Sequence, residues 1–238
     1  MRFIANQAAL FHHGALIIGD THFGMEYRLK EKGIHYQDVS ESILEKILLL
    51  ISETKAKRLI ILGDVKEPIM HVDAITKRIL GKLQERARVT IVRGNHDGGI
   101  ETICNDVKSS GGFLYHNLAL IHGNAWPSEE LMQASYLISA HQHPQIELQD
   151  RLGKFHTESA WFIASPNQLQ LKKFYKKYNT KIQLILLPAF NPLVGKSFKL
   201  NADEHLGPLL HNKLFKLDLA IVYKLDGTVL GKLKQLRK

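Results

Sequence analysis

"GALIIGDTH" (residues 14–22) decides how this chain folds. An aliphatic run passes straight into Gly-Asp-Thr-His, which predicts a strand buried on both faces that ends in a polar turn. The same construction returns in "RLIILGD" (58–64), "RVTIVRGNHD" (88–97), "LALIHG" (118–123) and "YLISAHQH" (136–143). Between the first three runs lie helical patterns. In "DVSESILEKILLLISET" (38–54), Ile43, Leu44, Ile47, Leu48 and Ile51 keep helical spacing, and Asp38 with Glu41 reads as a capping pair. "DAITKRILGKLQER" (73–86) repeats the theme behind an Asp73 cap. The first hundred residues therefore read βαβαβ, a unit that binds ligands at the carboxyl ends of its strands, where the polar clusters fall.

Past residue 145 the patterns are shorter. "PQIELQDRLGKFHTESAWFI" (144–163) predicts a hairpin, "NQLQLKKFYKKY" (167–178) a short basic helix or loop, and "KIQLILLP" (181–188) a strand. "FKLDLAIVYKLDGTVLGKLKQL" (215–236) predicts a hairpin turning at Asp226-Gly227. These complete a second sheet. No repeat, low-complexity linker or boundary interrupts the chain, so residues 1–238 are expected to form a single domain.

A 45% hydrophobic composition over 238 residues supports a real core. Cys104 is the only cysteine, which excludes an internal disulfide and suits a reducing compartment. No run is long enough to span a bilayer and the first residues do not read as a signal peptide, so a cytoplasmic protein without membrane contact is expected. Lys and Arg total 32 against 23 Asp and Glu, a formal charge of +9 that favours an anionic partner, nucleic acid first.

Singly, none of the polar clusters is decisive; an Asp-x-His triplet arises by chance about half a time in such a composition. Their order is. Asp20 and His22, Asp64, Asn95-His96-Asp97, His122, and then His141 and His143 each follow a predicted strand. Carboxylate, imidazole and amide without thiolate form the mixed donor set that suits divalent manganese, iron or zinc rather than a structural zinc site. His141 and His143 stand two apart, so an extended backbone would aim both at one object.

D-x-H, GD, GNH[DE], HG and [GA]-H-x-H in this order resemble the signature blocks of the calcineurin-like metallophosphoesterases, over about residues 15 to 145. "PAFNPLVG" (188–195) and "HGNAWP" (122–127) further resemble the archaeal SbcD-related and bacterial ligase-associated PdeM-type members. The resemblance implies an α/β fold, a four-layer αββα sandwich of two mixed sheets flanked by helices. It also implies a two-metal centre, with Asp20, His22, Asp64 and His143 on one divalent ion and Asp64, Asn95, His122 and His141 on the other. Manganese is the expected metal, with iron or zinc as alternatives. Two such cations polarise phosphoryl oxygens, offset charge growing in the displacement and acidify water. His96 is then the catalytic residue that protonates the leaving oxygen or stabilises the transition state, and Asp97 orients its ring.

Ala140 stands where relatives have Gly, and Glu67 and Asn124 where many of the subgroup carry histidine. Lys66 and Arg93, beside the clusters, read as surface residues with a phosphate contact as the alternative. Lys172, Lys173, Lys176 and Lys177 interleave with aromatics in a pattern suited to nucleic-acid backbone and base contacts. Its alternative is a basic surface segment whose aromatics pack inward. His12, His13, His35, His71, His116, His156, His205 and His211 lie outside any motif and read as fillers of surface or core.

The leading functional expectation is a metal-dependent phosphodiesterase on single-stranded DNA or RNA, a nuclease associated with DNA repair and with a repair helicase or ligase as partner. A small-molecule phosphatase or cyclic-nucleotide phosphodiesterase is the second reading, since the same core hydrolyses many phosphoesters. A non-catalytic scaffold is the third, disfavoured by the presence of His96 alongside every expected ligand.

Overall fold

The computed structural model describes residues 1–34, 39–197 and 207–236. Among these residues the strands form two sheets. The first, in spatial order, is β1 (Arg2–Phe3), β2 (Leu10–His12), β3 (Ala15–Ile18), β4 (Arg58–Ile61), β5 (Arg88–Val92) and β6 (Val107–Lys108). β3 to β6 are parallel, with α2 (Val39–Thr54) crossing from β3 to β4 and α3 (Ala74–Gln84) from β4 to β5, as the βαβαβ reading expects.

The second sheet is mixed. Its main path runs β7 (Phe113–Tyr115), β8 (Leu118–Ile121), β9 (Tyr136–Ser139), β12 (Gln183–Leu186), β11 (Phe155–Ala164), β10 (Pro144–Gln149) and β13 (Lys196–Ser197). The hairpin β14 (Ile221–Lys224) and β15 (Val229–Lys232) joins it through β11. Both predicted hairpins are present. Asp150 accepts the backbone N–H groups of Leu152 and Lys154 in one turn, and Asp226 that of Thr228 in the other, where Gly227 takes φ 94°.

Period-two alternation in the strands builds the layers. Ala15, Ile17, Ile60 and Leu62 point between the sheets against Leu120, Ile138 and Ile185. Leu16, Ile18, Leu59 and Ile61 point the other way, onto Ile43, Leu44 and Ile47 of α2 and Ile79 and Leu83 of α3. A third core, on the outer face of the second sheet, holds Leu171 of α4 (Gln168–Phe174), Leu209 and Leu210 of α5 (Gly207–His211), and Leu233 of α6 (Leu233–Leu236). Three cores separated by two sheets make the four-layer αββα sandwich. Each fully buried aliphatic contributes about 1.5–3 kcal/mol, so these seams hold the scaffold under the loops.

Asp73 caps α3 as expected, accepting the Thr76 N–H. The other predicted cap rests on Asp38, which lies outside the described residues. Glu41 binds Arg78 at 2.6 Å and Lys82 at 3.0 Å, tying α2 to α3. Those two cations hold its carboxyl down to about 2. No helix among the described residues is long and apolar enough to cross a membrane. His35 and His205 lie outside the described residues, while His12, His13 and His116 pack together at the end of the sheets opposite the polar turns.

Candidate metal centre

The polar turns after β3, β4, β5, β8 and β9 meet at one end of the paired sheets. Ligand-type atoms of Asp20, His22, Asp64 and His143 all lie within 4.8 Å of one another, and so do those of Asp64, His122 and His141. Asp64 belongs to both groups. Asn95 joins the second through its Oδ1, 3.2 Å from His122 Nε2. The seven residues singled out as ligands are therefore brought together around one spot. Two glycines make room for them: a Cβ on Gly63 would fall 2.5 Å from His122 Nδ1, and one on Gly94 2.4 Å from the Asp64 backbone nitrogen. Ala140 fits because residue 19 is glycine; a Cβ there would meet that of Ala140 at 2.8 Å.

Hydrogen bonds to one nitrogen of each ring aim the other. His22 Nδ1–H donates to Glu67 Oε2 at 2.8 Å, and His122 Nδ1–H to the Leu62 carbonyl at 2.7 Å. His122 Nε2 faces Asn95 Oδ1 and, at 3.4 Å, Asp64 Oδ1. Burial pulls this imidazole down, but Asp64 and Asp20 overcome it and push it up to about 9. Burial and the neighbouring His122 drop His141 to about 4. For Asp20 and Asp64 burial acts upward, and the surrounding imidazoles outweigh it, holding both carboxyls below the usual range.

The backbone supplies the convergence. Asp20 (φ 55°), His22 (41°), Asp64 (49°), His141 (68°) and His143 (45°) all lie in the left-handed region. The extended segment expected at His141 and His143 is thus corrected: β9 stops at Ser139, and both histidines turn through left-handed conformations instead. Asp20 anchors that turn by accepting the His141 N–H at 3.1 Å, and His143 Nε2 lies 3.2 Å from Asp20 Oδ1.

Two further expectations are corrected. Asp97 does not orient His96. Its carboxylate is fully buried and accepts the backbone N–H groups of Gly94 (2.7 Å), Val65 (2.8 Å) and Asp64 (2.9 Å), while His96 Nδ1–H donates to the Glu67 carbonyl at 2.8 Å. Lys66 is neither on the surface nor turned to a phosphate. It is buried, with Nζ donating to the carbonyls of Pro68, Ile69 (2.9 Å) and His96 (2.6 Å). Glu67, singled out only as a departure, is the carboxylate that holds His22, and Arg28 of α1 (Met25–Glu31) pairs with its other oxygen. Burial opposes ionisation of Glu67, but His22 and Arg28 hold it down to about 2. Arg93 is a surface residue paired with Glu101.

Asn191, inside the quoted "PAFNPLVG", gave no chemical signal in the sequence. It is buried and donates to the Thr21 carbonyl at 3.0 Å, while the Phe190 N–H bonds Gly19, so this segment braces the Asp20–His22 turn. Lys172, Lys173, Lys176 and Lys177 are exposed and stand outside the ligand cluster, on α4 and just beyond it. Tyr175 between them packs inward and Tyr178 rests against the same core, while Phe174 stays exposed.

The donor set fits divalent cations. Among the described residues His22 Nε2 is buried without a hydrogen-bond partner, and His143 Nε2 faces only the buried Asp20 carboxylate, with that of Asp64 close by. Buried groups of this kind need a partner, and a cation satisfies imidazole lone pairs and carboxylates together.

Comparison with known proteins identifies the family. A search of curated proteins returned no match. Among solved structures, the chain is similar to the Pseudomonas putida nuclease MPE, with a TM-score of 0.59 at 20% identity, covering 92% of this chain and 90% of that one. It is also similar to Yfce, a phosphoesterase from E. coli, with a TM-score of 0.46 at 17% identity, covering 92% and 97%. The family model described as calcineurin-like phosphoesterase matches residues 15–226. The sandwich and the order of its five polar turns thus have their explanation: this chain belongs to the calcineurin-like phosphoesterases, a family of metal-binding hydrolases.

Proposed function

We propose that the protein is a two-metal phosphodiesterase that cleaves single-stranded nucleic acid. The reading is carried by Asp64, whose carboxylate sits in both ligand groups, as an acid shared between two cations must. Asp20, His22, Asp64 and His143 would hold one cation, and Asp64, Asn95, His122 and His141 the other; manganese is the proposed metal. When bound, the pair would polarise a phosphoryl oxygen, offset developing negative charge and acidify water.

The chain's own residues do the rest. Glu67 and the Leu62 carbonyl hold His22 and His122 in the tautomers that leave Nε2 facing the centre. His96 keeps Nδ1–H on the Glu67 carbonyl, which leaves Nε2 to carry a proton towards a leaving alkoxide. Asp97 holds the backbone of Asp64 and Gly94, and so the positions of Asp64, Asn95 and His96 relative to each other. Nucleic acid is favoured over a small phosphoester by the +9 formal charge. A role in DNA repair, with a helicase or ligase as partner, and a cytoplasmic location belong to the same proposal.

The test is hydrolysis of an aryl phosphodiester and of single-stranded DNA and RNA by protein supplemented with manganese. His96→Ala should lower turnover by about 100- to 10,000-fold while manganese still binds. Unchanged turnover refutes the role of His96, and no turnover by the metal-loaded wild type refutes the function. Activity confined to mononucleotides and indifferent to salt would give the small-molecule reading instead.

A further inference from the structure

On the loop that leaves His122 and at the end of α4, two aromatic side chains stay in solvent although they touch. Trp126 and Phe174 are 44% and 45% exposed, with ring centroids 4.9 Å apart and planes inclined by 33°. The pair comes from two segments locked together. Tyr175 is buried and its hydroxyl donates to the Pro127 carbonyl at 3.0 Å, and Glu129 Oε1 accepts the backbone N–H groups of Lys176 and Lys177, both at 2.8 Å. Only Tyr175 and the exposed Glu129 lend side chains to these bonds, which leaves the Trp126 and Phe174 rings free of them. Exposed Lys172, Lys173, Lys176 and Lys177 flank Phe174 in sequence, none of them in a salt bridge to a carboxylate among the described residues.

The platform is close to the chemistry. Trp126 follows His122 by four residues, so their Cα atoms are at most about 14 Å apart. A strand with its scissile phosphate at the centre reaches the two rings within a few nucleotides.

We infer that Trp126 and Phe174 are a stacking platform for an unpaired base of the substrate strand, with the four lysines taking the flanking phosphates. Every base offers a π-face, so such a platform binds without regard to sequence, but it needs a base out of its duplex, which selects single strands. Four cations around aromatics match a polyanion that carries planar rings, a combination single-stranded nucleic acid supplies and a small phosphoester lacks. The inference rests on the nucleic-acid reading above and adds where the strand lies.

The chain contains two tryptophans, and the other, Trp161, is only 2% exposed, which makes fluorescence a reporter of Trp126. With metal omitted to prevent cleavage, titration with a short oligothymidine should quench the emission, and Trp126→Phe should abolish the quenching. Trp126→Ala and Phe174→Ala, checked for native melting, should each weaken binding by about 5- to 150-fold. Lys176→Gln with Lys177→Gln should lower the slope of log K against log salt by about 1.4, at about 0.7 for each phosphate contact to a single strand. Binding without quenching, or affinity unchanged in both aromatic variants, overturns the platform. Quenching by oligothymidine without hydrolysis of an aryl phosphodiester by the metal-loaded wild type would sink the proposed function and leave the platform standing.

Discussion

Replacing Asp97 by asparagine tests whether this side chain is the staple of the centre. Its two oxygens accept three backbone N–H groups, from Gly94 and Asp64 on Oδ2 and from Val65 on Oδ1, with no solvent access. A hydrogen bond to a charged acceptor contributes about 1.5–3 kcal/mol, and a buried donor left unpaired costs about 1–3 kcal/mol. Asparagine keeps one oxygen. Placed at the Oδ2 position, it retains two weaker neutral bonds and turns its NH2 against the Val65 N–H. Removing the charge also has a benefit, because burial and then the charge of Asp64 push the Asp97 carboxyl up. The balance is a loss of about 2–4 kcal/mol, since the three donors outweigh one repulsion. In a chain of this size that is a drop of roughly 5–15 °C in Tm. The assay is thermal unfolding of chelator-treated protein, so that lost metal binding does not inflate the effect. Should Asp97→Asn melt within about 2 °C of wild type, the staple is not what holds the Asp64 and Asn95 turns, and the placement of the ligands needs another cause.

Other perturbations separate structure from chemistry. Lys66→Met keeps the stem but leaves three carbonyls without their cation, and should destabilise by about 2–4 kcal/mol in urea unfolding; an unchanged midpoint would return Lys66 to a substrate role. Glu67→Gln leaves His22 without its carboxylate and should weaken manganese binding by about 10- to 100-fold in calorimetry, and intact affinity would show that Glu67 does not hold the ring. His122, raised to about 9 in the metal-free protein, stabilises it fully below the unfolded value of 6.5, and that contribution is lost as pH rises through 9. Loading at pH 7.5 must displace this proton, so calorimetry in buffers of different ionisation enthalpy should show at least one proton released per protein, since the carboxylates also raise His22; none released would mean that His122 is neutral beforehand.

The layers and the strand ends were legible because period-two alternation and the position of a polar turn after an apolar run are local properties. Leu16 and Ile18 face one core and Ala15 and Ile17 another, as alternation requires. The partners of Asp97, Lys66 and Glu67 were not legible, because each depends on which backbone groups the fold brings alongside. Lys66 reads as a surface cation by composition, yet it is buried where the carbonyls of residues 68, 69 and 96 converge. Asp97 follows His96 in sequence and so looks like its partner, but its carboxylate faces the turn after β4.

The same limit explains the spacing of the ligands themselves. Asp20 and His22, like His141 and His143, stand two apart, and alternation in a strand would aim each pair at one face. The chain reaches that result by another route, with all four residues and Asp64 at positive φ. A left-handed residue other than glycine costs roughly 1–2 kcal/mol, and it persists only where the surroundings fix it. The fixing groups are neighbours in the cluster: the Gly63 carbonyl takes the Asp20 N–H, the Asp64 carbonyl the His22 N–H, and the Asp20 carboxylate the His141 N–H. Asp20, His22 and His141 are therefore each held by another turn of the same cluster. Strain of this kind gathers where a site must be shaped before its ligand arrives, and the five turns hold their side chains together through backbone bonds that need no cation to form.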